Sequence, residues 1–136
     1  MGRVLALDYG TTRIGVAISD PSRCIAQPLE VISAYQDPLT RIASLVTEYE
    51  VEEVVLGQPL DLKGRAGLAT QNMEPFRKAL RERLAVPVIL LDERLTTAMA
   101  ERSLIEAGMS RAKRKQNIDK IAASLILQSY LENAAR

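Results

Sequence analysis

Residues 4–19 read Val4-Leu5-Ala6-Leu7-Asp8-Tyr9-Gly10-Thr11-Thr12-Arg13-Ile14-Gly15-Val16-Ala17-Ile18-Ser19. Val4 to Leu7 is an unbroken apolar run, which predicts a buried strand, and it ends on an acid, Asp8. Tyr9 to Thr12 is turn chemistry, and Arg13 to Ser19 alternates loosely with Ile14, Val16, Ala17 and Ile18 as its apolar members. The stretch therefore predicts two antiparallel strands joined by a tight hairpin. Outward from it, Asp20-Pro21-Ser22 is a second turn, and residues 25–32 form a third strand that Pro28 pushes to a sheet edge.

The remaining chain alternates between helix and strand. Asp37-Pro38 suits a helix start, with Asp as cap and Pro at the first helical position. Leu39, Ile42, Ala43, Leu45, Val46 and Tyr49 give that helix its apolar face. Residues 53–56 predict a fourth strand stopped by Gly57-Gln58-Pro59, and residues 68–84 a helix with a kink or late start at Pro75. Residues 87–91 are continuously aliphatic after Pro87 and predict a strand buried on both faces. Helices follow at 96–107, with Thr96 as cap and Gly108 beyond its end, and at 118–133. The order β-β-β-α-β-α-β-α-α predicts an α/β fold: one domain over residues 1–136, with a mixed five-stranded sheet flanked by helices on both faces.

Composition narrows the chemistry. The chain has no histidine, which removes Ser-His-Asp and Cys-His catalysis and nearly all catalytic zinc sites. Cys24 is the sole cysteine, so no intramolecular disulfide or metal cluster can be built from cysteines, and a reducing cytoplasm is expected. No apolar run reaches about 18 residues, so no membrane span is read, and the N-terminus runs straight into a strand with no signal-peptide pattern. A net charge of +1 means that any polyanion-binding surface must be local.

What remains is carboxylates, hydroxyls, cations and backbone. Asp8 closes one apolar strand and Asp92-Glu93 closes another. If the two strands are parallel, these acids share the carboxyl rim where α/β sheets bind ligands. Asp119 opens the last helix, and Ala122, Ala123, Ile126 and Tyr130 fall on its face at offsets of three, four, seven and eleven. An acid in the stripe that packs on a sheet needs a cation or several donors. Together these carboxylates suggest an all-oxygen site for Mg²⁺ or Mn²⁺. Two such ions can flank a scissile phosphate, activating water and stabilising the leaving oxygen without histidine.

Two other features bear on anions. Asp8-Tyr9-Gly10-Thr11-Thr12, with Gly15 and Asp20, resembles the phosphate-binding hairpin of the actin and sugar-kinase superfamily. Those enzymes face two such domains across a cleft, and this chain has length for one. Arg111, Lys113, Arg114 and Lys115 form a basic loop before Asp119, and Lys63 and Arg65 lie in a second loop. Cationic loops beside a carboxylate cluster suit a phosphate backbone. Glu48, Glu50, Glu52 and Glu53 read as a solvated acidic helix end. Four tyrosines, one phenylalanine and no tryptophan leave little for base stacking.

Four segments in order carry a wider resemblance: Leu5 to Gly10 with Arg13 to Ala17; Leu56 to Leu60 with Gly64 and Gly67; Asp92 to Thr97; and Asp119 with Ala122-Ala123 and Ile126 to Leu131. Over nearly its whole length the chain resembles the YqgF/RuvX family of RNase H-like nucleases, described both as Holliday junction resolvases and as pre-16S rRNA nucleases. The resemblance implies an RNase H-like fold, with the first three strands antiparallel, and divalent-metal nuclease chemistry. It implies Asp8, Glu93 and Asp119 as metal ligands, with Asp92 in reserve, because alternation puts Asp92 and Glu93 on opposite faces. Arg13, Arg94, Thr96 and Thr97, with the hairpin residues Gly10, Thr11 and Thr12, are the supporting groups. Position 12 is often basic in the family and is Thr12 here, and Gln58 stands where an apolar residue is common. The expected substrate is nucleic acid. RNA at the 5′ end of a ribosomal RNA precursor is favoured, with ribosomal particles as partners and a monomer or homodimer as the working form. DNA repair by a resolvase or exonuclease is the first alternative, and a non-catalytic RNA- or ribosome-binding factor the second.

Overall fold

The first hairpin forms as its sequence predicts and lies within one continuous sheet. The structure, a computed structural model, describes residues 2–58, 68–93, 102–103, 105–106 and 118–134, without the side chains of 68–72 and 118–120. Strands β1 (Arg3–Tyr9), β2 (Arg13–Ser19) and β3 (Ala26–Ser33) run antiparallel to one another in sequence order. Helix α1 (Pro38–Glu48), strand β4 (Val51–Gln58), helix α2 (Leu68–Arg83), strand β5 (Val88–Asp92) and helix α3 (Ile118–Ala134) follow. The sheet order is β3-β2-β1-β4-β5, with β1, β4 and β5 parallel.

Strand alternation sorts the core into two layers. Leu5 and Leu7 of β1, Val54 and Leu56 of β4 and Val88 of β5 pack with Ile42 and Leu45 of α1 and Met73 and Leu80 of α2. Val4 and Ala6 of β1, Ala17 of β2, Val55 of β4 and Leu91 of β5 pack with Ala123, Ile126, Leu127 and Leu131 of α3. Helices thus cover both faces. Alanines on the second face shorten the distance at which a helix can seat.

Local chemistry accounts for the ends of the elements. Asp37 caps α1, accepting from Thr40 N–H at 3.4 Å and Thr40 Oγ at 2.7 Å, with Pro38 in the first turn. Pro28 lies on the edge strand β3, next to a register shift opposite Val16 and Ala17. There the missing N–H costs no ladder bond.

Three expectations change. Strand β4 does not stop at Gly57; it continues through Gln58 because Gly57 and Gln58 pair with Leu91 and Asp92 of β5. Helix α2 runs through Pro75 from Leu68, so there is no late start. Glu52 and Glu53 are not a solvated helix end. They lie in β4, where Arg23 bonds Glu52 Oε2 at 3.0 Å and Glu53 Oε1 at 3.1 Å, and Tyr130 also donates to Glu53. Of the helix expected at 96–107, residues 102, 103, 105 and 106 are described and helical. Among the described residues no helix is long and apolar enough to cross a membrane.

Candidate active site

The parallel register brings the expected acids to one edge. Leu7 of β1 pairs with Leu56 of β4, and Gly57 of β4 pairs with Leu91 of β5. Asp8, Gly57 and the end of β5 therefore stand level at the carboxyl edge of three adjacent parallel strands. Asp8 follows Val4 and Ala6 onto the α3 face, because side chains along a strand alternate. Leu91 is on that face too, so the position two residues on, Glu93, returns to it. Asp92 follows Val88 and Leu90 toward the other face. The choice that sequence left open between Asp92 and Glu93 is thus made by the parity of β5.

The side chains bear this out. Glu93 is hydrogen-bonded to Asp8, and its carboxyl is pushed up to about 7. Burial is the largest cause, followed by the bond to Asp8 and the negative charges of Asp8 and Asp92. Two carboxyls this close share a proton or call for a cation between them.

Asp8 has little side-chain competition within the sheet. Its partner on β2 is Gly15, and Gly57 is level with it on β4. The hairpin tip beside it is held tightly: a side chain on Gly10 would approach Arg13 O to 2.5 Å. Thr11, Thr12 and Arg13 are exposed there. On the opposite face Tyr9 stacks on Phe76 of α2, with ring centroids 4.8 Å apart.

Helix α3 approaches the pair from the second face. Tyr130 reaches Glu53 at the start of β4, and Ile126 lies against Gly57 near its end. The helix therefore runs opposite to β4, and its N-terminus points beyond the carboxyl edge. Asp119 is the second residue of α3, two turns before Ile126 on the same face. Its side chain lies outside the described residues. So do Lys63, Arg65, Arg94, Thr96, Thr97, Arg111, Lys113, Arg114 and Lys115.

Among the described residues no set of three acidic, cysteine or histidine side chains forms a metal-holding group. Asp8 and Glu93 are a pair of hard oxygen donors, which fits a divalent cation of the Mg²⁺ class. Sequence reasoning overlooked Gly57, which it treated as a strand terminator. The available signal was a glycine following the aliphatic run Val54-Val55-Leu56.

The chain is similar to known proteins along nearly its whole length. A family profile described as "RuvX: Holliday junction resolvase" matches residues 2–133. A Listeria innocua protein named "Putative pre-16S rRNA nuclease" is 48% identical over 134 residues, covering 96% of this chain and 97% of its own length. A Desulfitobacterium hafniense protein of the same name is 45% identical over 130 residues, covering 96% and 92%. T. thermophilus RuvC, solved in complex with a Holliday junction substrate, is similar with a TM-score of 0.61 at 15% identity, covering 99% of this chain and 96% of that one. Fowlpox virus resolvase, solved with junction DNA, is similar with a TM-score of 0.57 at 16% identity, covering 98% and 99%. Identities this low speak to the shared fold alone.

Proposed function

The chain belongs to the RuvX family, and from that premise we propose that it is a nuclease hydrolysing phosphodiester bonds at the Asp8–Glu93 edge. The observation that carries the reading is the carboxylate pair itself, two acids from separate strands joined side chain to side chain at a carboxyl edge. The favoured substrate is precursor 16S rRNA at its 5′ end, on the strength of the relatives' names. Ribosomal particles are the expected context and the cytoplasm the expected compartment.

In this reading Asp8, Glu93 and Asp119 hold Mg²⁺ or Mn²⁺, with two ions as the finer proposal. Asp92 modulates Glu93 through its charge. The bound cation supplies Lewis acidity toward the scissile phosphate and activates water. The chain's own part is to hold the two carboxyl groups side by side at one edge. Thr11, Thr12 and Arg13 offer donors to a phosphate near Asp8. Lys63, Arg65, Arg94, Arg111, Lys113, Arg114 and Lys115 are the proposed contacts to the phosphate backbone.

The test uses matched labelled single-stranded RNA, single-stranded DNA and a four-way DNA junction, each with Mn²⁺, Mg²⁺ or EDTA. Asp8→Asn and Glu93→Gln are expected to lose at least about 100-fold in cleavage. Asp92→Asn is expected to stay within about tenfold of wild type, as a neighbour acting through its charge. A fully active Asp8→Asn enzyme that still needs metal would sink the assignment.

The family description favours one second reading, a junction resolvase. Such an enzyme must present two symmetric sites, so it should be a dimer. Paired nicks in the junction by a dimeric protein would select it, and a monomer at micromolar concentration would count against it.

A further inference from the structure

We infer that Gly57 is a positioning residue of this site, because its missing side chain opens the path by which Glu93 reaches Asp8. The two acids do not come from neighbouring strands. Asp8 is on β1 and Glu93 just follows β5, with β4 between them. Strands are spaced by about 4.8 Å, so the two backbones stand about 10 Å apart. The carboxyls meet because Glu93 lies across β4 at Gly57. A β-carbon built there would lie 2.7 Å from Glu93 Oε1 and 3.2 Å from Glu93 Cγ. It would also lie 2.6 Å from Ile126 Cδ1. Glu93 thus lies across Gly57, in space that any side chain at 57 would take.

The glycine is not needed for backbone reasons. Gly57 sits in extended strand, paired with Leu91, with no left-handed φ. Any L residue can adopt that backbone. A methyl group at 57 must therefore displace a side chain. Ile126 is 3% exposed and packed among Val55, Leu91 and Leu127, so it has little room to retreat. Glu93 is only part-buried at the sheet edge and can swing outward. The added carbon therefore evicts Glu93 from Asp8 and leaves the fold standing.

The inference deepens the nuclease reading and rests on it for its kinetic arm. The experiment compares wild type, Gly57→Ala, Ile126→Val and Gly57→Ala/Ile126→Val. Crystal structures of the metal-free proteins would locate the Glu93 carboxyl. Calorimetry would measure Mn²⁺ binding, and steady-state kinetics would separate kcat from KM on a cleavable oligonucleotide. In Gly57→Ala the Glu93–Asp8 contact is expected to be lost and Mn²⁺ binding to weaken at least about tenfold. kcat is expected to fall about 100-fold, with KM within about threefold of wild type. Ile126→Val alone should cleave like wild type. It removes the Cδ1 atom, so the double variant relieves the helix-side clash while keeping the clash with Glu93, and its defect should persist. The double variant also carries the test if Gly57→Ala fails to fold. An intact Glu93–Asp8 contact in Gly57→Ala, or full recovery of kcat in the double variant, would overturn the inference. Failure of the nuclease reading looks different: wild type would show no metal-dependent cleavage, and the crystal and calorimetric arms would then decide the role of Gly57 alone.

Discussion

Glu93 keeps its proton up to about pH 7 because it is buried beside Asp8, and that has a consequence for stability. The unfolded chain releases the same proton near 4.5. Between these values the folded state binds more protons than the unfolded state, so stability falls as pH rises. The contribution is complete below about 4.5 and gone above about 7. Glu93 is part-buried, so solvent screening holds the effect to on the order of 1–2 kcal/mol. Asp20 and Asp37 act in the opposite sense and lower down, since their hydrogen bonds hold both below the usual carboxylate range. Thermal unfolding of the metal-free protein from pH 4.5 to 8 should therefore show a falling melting temperature above pH 5 that Asp8→Asn flattens. A divalent cation should flatten it too, by taking the proton's place. Equal slopes in wild type and Asp8→Asn would mean that the two carboxyls do not interact in solution.

Helix α3 seats closely on the sheet, with Ile126 Cδ1 in the space a side chain at Gly57 would need. Its register against the sheet is held by a buried glutamine. Gln128 accepts from Ala26 N–H at 2.8 Å and donates to Cys24 O at 3.2 Å and Glu132 Oε1 at 3.3 Å. Gln128 is thus the polar pin between α3 and the start of edge strand β3. Replacing it with methionine keeps the volume and strands the Ala26 N–H. Gln128→Met should cost about 2 kcal/mol in urea unfolding, with an unchanged denaturant slope. A loss under about 0.5 kcal/mol would show that water replaces the glutamine at no cost. Arg23 adds a second polar tie close by. It ties Gly2 O to Glu52 and Glu53, and Tyr130 joins through Glu53.

Across the whole molecule a net charge of +1 hides an uneven distribution of charge along the sequence. Glu48, Glu50, Glu52 and Glu53 gather where α1 ends and β4 begins, at the amino edge of the parallel strands. Lys63, Arg65, Arg94 and Arg111 to Lys115 belong to segments joined to Gln58, Glu93 and Ile118, the attachment points at the carboxyl edge. A polyanion would be repelled from the amino edge, where the glutamates gather. Binding to a non-cleaved RNA should weaken steeply with salt. Arg114→Ala/Lys115→Ala should reduce the slope of log K against log salt by about one to two. An unchanged slope would move the binding surface elsewhere.

By itself the sequence determined the first hairpin, helix α1 and the two acidic strand ends, because each is written in local periodicity. Val4 to Leu7, the Gly10 turn and the Asp37-Pro38 cap need only their neighbours to be read. It also excluded histidine and zinc-cysteine chemistry outright. Only the tertiary structure decided which acid of Asp92-Glu93 meets Asp8, since that depends on the parity of β5 within a sheet assembled from distant segments. It alone showed that β4 continues through Gly57 and that this glycine is the crossing point for Glu93. A glycine looks the same in sequence whether it ends a strand or clears a path. The difference lies in what packs over it, and here that is a side chain 36 residues further along the chain.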